Sequence, residues 1–198
     1  MAVASGEQGI PSPLAAGRDP FRVLVGTVVS LRTRDAVTEK VTARVFSRVS
    51  SPAEMYDLDQ SELAELLYPA GFYRRKAAQL LKLCSILLCR YDGKVPSTRE
   101  ELESLPGVGE KTAAFVLSMA FGIPAVCVDI HVHRISNRLG LVKTTTPSET
   151  EAALMKIFPK KLWIPLNHVF VRFGQRVCLP VGPRCVYCPL KGWCLNAS

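Results

Sequence analysis

No apolar run in this chain approaches the length of a membrane span. The longest stretches, such as Leu80–Cys89, are interrupted by charge and fall far short of the ~20 residues a spanning helix needs. The first residues, Met1 to Arg18, are rich in Ala, Gly, Ser and Pro. They lack the apolar core of a secretory signal and read as a loose tail. No segment alternates apolar and polar residues convincingly enough to predict a strand. Acid is also in short supply: 17 Asp and Glu stand against 25 Lys and Arg, a formal charge of +8 with a pI near 9.3. That excess points to a polyanionic partner, with nucleic acid first among the choices. Seven cysteines form an odd set, which together with the absent signal argues against disulfides. What remains is a small intracellular globular chain. Its 198 residues, 48% apolar, suit one large domain or two small ones.

The chain reads as helix after helix. Asp19-Pro20 is a cap followed by a first-turn proline, leading into FRVLVGTVVSL. A second helix follows Thr33 or Asp35, with Val37, Val41, Val45 and Val49 on one face. A short helix covers Ser61 to Leu67 and stops before Pro69 and Gly71. The next runs from about Tyr73 to Arg90, with Ala77, Leu80, Leu81, Cys84, Leu87 and Leu88 inward. Arg74, Arg75, Lys76 and Lys82 give it a basic opening. Ser97 with Glu100 predicts a capping box for a helix ending near Leu105. The predicted class is all-α. Cys84, Cys89 and Cys127 sit among apolar neighbours and are expected to pack as small hydrophobes.

Leu105-Pro106-Gly107-Val108-Gly109 predicts a tight turn between two helices. Glycines on either side of one small apolar residue let the backbone approach a phosphate, with the amides of the next helix pointing at it. Such a helix–hairpin–helix grips the DNA backbone without reading bases; an ordinary αα turn would have the same look. Lys111 falls in the first turn of the following apolar helix, TAAFVLSMAFG. A cation there opposes the helix dipole, and partial desolvation would ease loss of its proton. A neutral amine is what a Schiff-base nucleophile requires, although a surface lysine facing phosphate fits the same position. Asp129 ends an apolar run just before helix-like sequence. It reads first as an N-cap, and functionally as a carboxylate able to stabilise a developing cation or assist the amine. His131 and His133 lie two apart and do not share a helix face, so they read as structural or DNA-side groups.

Cys178, Cys185, Cys188 and Cys194 close the chain as C-x6-C-x2-C-x5-C in loop-like sequence. Four thiolates in so short a run are soft ligands for zinc or an iron–sulfur cluster. Prolines and glycines between them prevent a continuous helix and let the chain wrap around a centre. Spacing alone does not choose between the metals.

LPGVGEKTA, VDIHVHRISNRLG and the terminal cysteine pattern together resemble the endonuclease III family, bifunctional DNA glycosylases with AP-lyase activity. The resemblance runs from about Asp19 to Cys194. It implies two all-α domains: a six-helix domain over residues 20–124 carrying the hairpin, and a cluster domain of residues 125–198 joined by the tail, residues 1–19. It implies that the cysteines hold a 4Fe–4S cluster, and that Lys111 and Asp129 face each other across the cleft where DNA lies. The partner implied is double-stranded DNA with damaged bases or abasic sites. The protein would act as a monomer, off the membrane, in a cytoplasmic, nucleoid-associated setting.

The chemistry implied begins with extrusion of a damaged base, an oxidised pyrimidine as the best substrate class. Lys111 attacks C1′ and displaces the base, Asp129 balances charge on the sugar, and β-elimination cuts on the 3′ side. Gly107, Val108 and Gly109 would hold phosphate, and Arg184 and Lys191 could reach phosphates from the cysteine loop. One run departs from the family. A glutamine commonly fills the gap left by the flipped base, in a Ser-Ala-Gln-Ala-Thr-Asp run. The matching run here is Ser30-Leu31-Arg32-Thr33-Arg34-Asp35. Arg32 could occupy that gap, its fork suiting guanine acceptors, or could lie on the surface near the backbone. Two rivals share the hairpin and cysteines: a monofunctional mismatch glycosylase, and a catalytically silent DNA-binding module. Lys111 argues against the first, and the Lys111–Asp129 pair against the second.

Overall fold

The computed structural model describes residues 19–197. Their regular structure is helical throughout, and no strand forms among them. Helix α1 (Pro20–Ser30) starts where the Asp19 carboxylate accepts the Phe21 N–H at 2.9 Å and Pro20 takes the first turn. Helix α2 (Asp35–Arg48) turns Val41 and Val45 inward, and Val49 is buried at its end. Helix α3 (Pro52–Tyr56) is an element the sequence reading did not separate. Ser51 caps it through the Glu54 N–H, and Pro52 again opens the turn. Helices α4 (Gln60–Leu67), α5 (Tyr73–Tyr91), α6 (Arg99–Glu103) and α7 (Glu110–Phe121) follow, then α8 (Ile130–Arg138), α9 (Pro147–Ile157) and α10 (Trp163–Arg176). The cysteine run forms only two short 3₁₀ turns, Cys185–Tyr187 and Lys191–Trp193. None of the described helices is long and apolar enough to cross a membrane.

Apolar side chains collect in two cores. One draws on α1 to α7, from Phe21 to Ala120. The other runs from Val126 to Leu166 and includes Val132, Leu154 and Trp163. Within the first, α1 packs on α7, and α5 packs on α3 and α4; within the second, α8 packs on α10. Polar side chains join the two. Arg99 on α6 binds the Glu151 carboxylate on α9 at 2.6 and 3.2 Å. Ser148 at the start of α9 donates to Glu110, the first residue of α7, at 2.6 Å.

Four sequence expectations are corrected here. The cap of α6 is Thr98, which accepts the Glu101 N–H at 3.3 Å, and not Ser97. Ser97–Glu100 and Thr98–Glu101 have the same spacing, so the local rule does not choose between them. Lys76, placed with the solvent-facing cations of α5, is 4% exposed. Leu83 is fully buried on α5, whereas Leu81 and Leu88 are only partly covered. Cys89 is exposed, unlike Cys84 and Cys127, because it lies near the end of α5 beside exposed Arg90. The N-terminal tail expected to join the cluster domain, residues 1–18, lies outside the described residues.

Candidate functional site

The turn at residues 104–109 links α6 to α7. Leu105 and Val108 anchor it in the core, and the Val108 N–H bonds the Leu105 carbonyl at 3.1 Å. Gly107 has φ +80°, and a Cβ there would press on the Gln79 amide, so the left-handed turn and its close backing both call for glycine. Gly109 occupies the N-cap position and supplies no side-chain cap. Nothing lies within 4 Å of where its side chain would be. The first-turn amides of α7 are therefore left open at the positive end of the helix. Behind them, Thr112, Ala113, Ala114, Val116 and Leu117 are buried. Lys111 emerges at this open end, and it is exposed. The partial desolvation expected from the sequence is not provided by the protein: the one exposed edge of α7 is the edge that carries Lys111.

Asp129 caps α8. Its Oδ1 accepts the N–H of His131 at 2.9 Å and of Val132 at 2.8 Å. Among the described residues its Oδ2 has no hydrogen-bond partner. The buried strip Val126–Val128 brings this cap to the start of α7. The Cys127 thiol lies 3.7 Å from the Lys111 carbonyl oxygen, and Asn167 ties down the Cys127 carbonyl at 2.9 Å. Burial pushes the Cys127 thiol up to about 12, and the charges of Lys111 and Asp129 both act on it. Lys111 and Asp129 thus belong to one locality, joined through a residue that the sequence reading treated as plain core. Burial also lowers the His131 imidazole, against the opposing pull of Asp129. Its Nδ1 faces Arg134 at 3.0 Å, while His133 Nδ1 meets the Thr150 hydroxyl at 2.7 Å. Both histidines serve packing and hydrogen bonding.

Arg32 sits in the turn after α1, exposed and with φ +52°. Its guanidinium stacks 5.5 Å from the Phe72 ring centroid, and Phe72 is itself 60% exposed. Phe72 carried no signal in the sequence, because a lone phenylalanine after a glycine reads as core.

Cys178 follows α10, Cys185 opens the first 3₁₀ turn, Cys188 ends it and Cys194 ends the second. All four line a cavity of about 190 Å³ with Arg138, Arg184 and Lys191 in its wall. Arg138 Nη1 reaches the Cys178 sulfur at 3.5 Å, and the Arg138 carbonyl oxygen lies 3.3 Å from the Cys194 sulfur. Among the described residues no three His, Cys, Asp or Glu side chains gather closely enough to hold a single ion. Four thiols lining one cavity, with cations beside them, are soft donors of the kind that hold zinc or an iron–sulfur cluster. Arg184 and Lys191 are both exposed on this loop.

An all-helical fold with an open-ended hairpin, a lysine beside a capping carboxylate and a four-cysteine cradle is that of a base-excision repair protein. Residues 25–160 match the HhH-GPD superfamily of base excision DNA repair proteins. The chain is 50% identical to the endonuclease III of Thermotoga maritima, over 89% of this chain and 83% of the relative. It is 38% identical to the endonuclease III of Bacillus subtilis, over 89% and 81%. Its structure resembles that of a trapped covalent endonuclease III–DNA intermediate with an estranged adenine. The TM-score is 0.87 at 41% identity, covering 93% of this chain and 87% of the other. A thermostable thymine-DNA glycosylase superposes at TM-score 0.86 and 25% identity, covering 98% and 90%. The chain belongs to the endonuclease III family.

Proposed function

We propose that this protein removes damaged, oxidised pyrimidines from double-stranded DNA and cleaves the resulting abasic site, as a bifunctional glycosylase and lyase. The observation that carries this reading is the placing of Lys111 at the open end of α7, joined through Cys127 to the Asp129 cap. The Lys111 amine attacks C1′ of the damaged nucleotide, and the base leaves with the electrons of the glycosidic bond. Asp129, with Oδ1 held by two amides, turns its remaining oxygen to the positive sugar and takes a proton from the amine. The sugar ring then opens as the C1′–O4′ bond breaks and O4′ takes a proton, leaving an imine between C1′ and Lys111. This acidifies the C2′ proton, and its loss expels the 3′ phosphate by β-elimination.

Binding is assigned to the rest of the surface. Gly107, Val108 and Gly109 bring the backbone against a phosphate, which the open amides at the α7 terminus hold, since the Val108 N–H is already bonded to the Leu105 carbonyl. Arg32 enters the space of the extruded base, and Arg184 and Lys191 reach phosphates beside it. Cys178, Cys185, Cys188 and Cys194 are the ligands of a 4Fe–4S cluster. When bound, that centre would supply rigidity to the basic loop and no step of the chemistry. Residues 20–124, which carry α1 to α7 rather than six helices, are assigned to the hairpin domain, and residues 125–198 to the cluster domain. The protein works as a monomer on intracellular, nucleoid-associated DNA.

Borohydride trapping on a duplex bearing one thymine glycol tests the reading. A covalent adduct from the native protein, lost in Lys111→Ala, is expected. No adduct on this lesion or on an abasic site would leave a monofunctional glycosylase or a DNA-binding module.

A further inference from the structure

The loop after α1 is held by a buried cation with no carboxylate partner among the described residues. Lys76 is 4% exposed, and its three ammonium protons all have acceptors. These are the Val29 carbonyl at 2.6 Å, the Leu31 carbonyl at 2.6 Å and the Thr33 hydroxyl oxygen at 2.9 Å. The Thr33 hydroxyl oxygen also accepts the Gly71 N–H at 3.1 Å. Gly71 lies so close to Arg32 that a Cβ would collide with the Arg32 carbonyl oxygen. Two turn tips are thereby locked together, and both carry left-handed residues: Arg32 at φ +52° and Phe72 at φ +57°. The pair they present outward is the stacked guanidinium and ring.

Burying an ammonium without a counter-ion is costly, and an apolar side chain would close the same gap more cheaply. Burial pushes Lys76 down to about 8, while its three acceptors favour the charged form. Only an ammonium offers three donors from one point. A methionine offers none, and a planar guanidinium aims its donors in a different pattern.

We infer that Lys76 is a positioning residue for duplex recognition: its ammonium locks the Arg32 and Gly71–Phe72 turns in the one arrangement that presents Arg32 to the space left by an extruded base. This rests on the reading that Arg32 enters that space. Lys76 does not touch DNA and acts through Arg32.

The test is a double-mutant cycle on native, metal-loaded protein, with Lys76→Met, Arg32→Ala and the double variant. Single-turnover cleavage is read as half-saturation and as maximal rate on a thymine glycol duplex. Cleavage of an abasic site in single-stranded DNA, where no opposite base is left unpaired, is read in parallel. Each single change should weaken duplex half-saturation about tenfold, the scale of a lost charge-assisted hydrogen bond. The double variant should be no worse than either single one, and Lys76→Met should leave the single-stranded reaction unchanged. Additive losses, or equal losses on single strands, would overturn the proposal and leave Lys76 a structural residue. Should Lys76→Met fail to fold, Thr33→Val removes one of the three acceptors while the Val29 and Leu31 carbonyls still hold the ammonium, and it carries the same expectations. If the native protein cleaves neither substrate, it is the glycosylase–lyase reading that fails.

Discussion

Arg99 on α6 and Glu151 on α9 form a two-point ion pair, at 2.6 and 3.2 Å, that joins the two apolar cores. The hydrogen bonds that it donates to Glu151 raise the Arg99 guanidinium above its ordinary value. Glu151 is only 11% exposed in its side chain, against 35% for Arg99. Arg99→Ala leaves a largely buried carboxylate without its cation. We expect a loss of about 2 kcal/mol, below the fully buried case because Arg99 is a third exposed. Urea unfolding measures it, and a loss below about 0.5 kcal/mol would make the pair an ordinary surface contact.

Asp129 both caps α8 and is assigned to the chemistry, and one substitution separates the roles. Asparagine caps as well as aspartate does. Asp129→Asn should therefore unfold within about 0.5 kcal/mol of the native protein while base release falls about a hundredfold or more. Asp129→Ala should lose about 1 kcal/mol as well. Native rates in the Asn variant would remove Asp129 from the reaction.

Glu149 closes a capping box at α9. Its carboxylate accepts the Thr146 N–H at 3.3 Å, the Thr146 hydroxyl accepts the Glu149 N–H at 3.2 Å, and the carboxylate also accepts the Thr145 N–H at 2.8 Å. The Thr145 N–H, and then its hydroxyl, lower the Glu149 carboxyl below its ordinary 4.5. A lowered acid binds fewer protons folded than unfolded. Its stabilisation is complete above the unfolded value and is lost as pH falls through the folded one. Thermal unfolding from about pH 6 to about pH 3 should show this as a steeper acid slope in the native protein than in Glu149→Gln. The two curves should converge at the acid end. Parallel curves would show that the carboxylate contributes nothing through its charge.

The cysteine cradle predicts its own metal content. Protein purified without oxygen should contain iron and acid-labile sulfide in equal amounts, and Cys188→Ala should lose both. Zinc in their place would keep the ligand set and overturn the cluster.

Much of the fold was legible because it is decided locally. Asp19-Pro20 starts α1 through a bond that spans two residues, and Asp129 caps α8 within three. Gly107 announces the hairpin because few other residues tolerate its left-handed turn. The cysteine ligand set was visible for the same reason: all four lie within one short run.

Other features depend on distant partners. Ser97 and Thr98 satisfy the capping rule equally, and the choice falls to packing that buries Pro96 and Leu102. Lys76 looked like one more cation in a basic stretch. It is buried because its acceptors come from residues more than forty positions earlier in the chain.

The sequence by itself determined the helical class, the hairpin turn and the run of four cysteines. Those signals are short-range, since caps, turns and ligand spacing need only near neighbours. Only the tertiary structure decided that Lys111 stands exposed, that Cys127 links it to Asp129, and that Lys76 is buried under the Arg32 turn. Burial and charge environment belong to surfaces brought together from separate parts of the chain, and no local pattern encodes which surfaces meet.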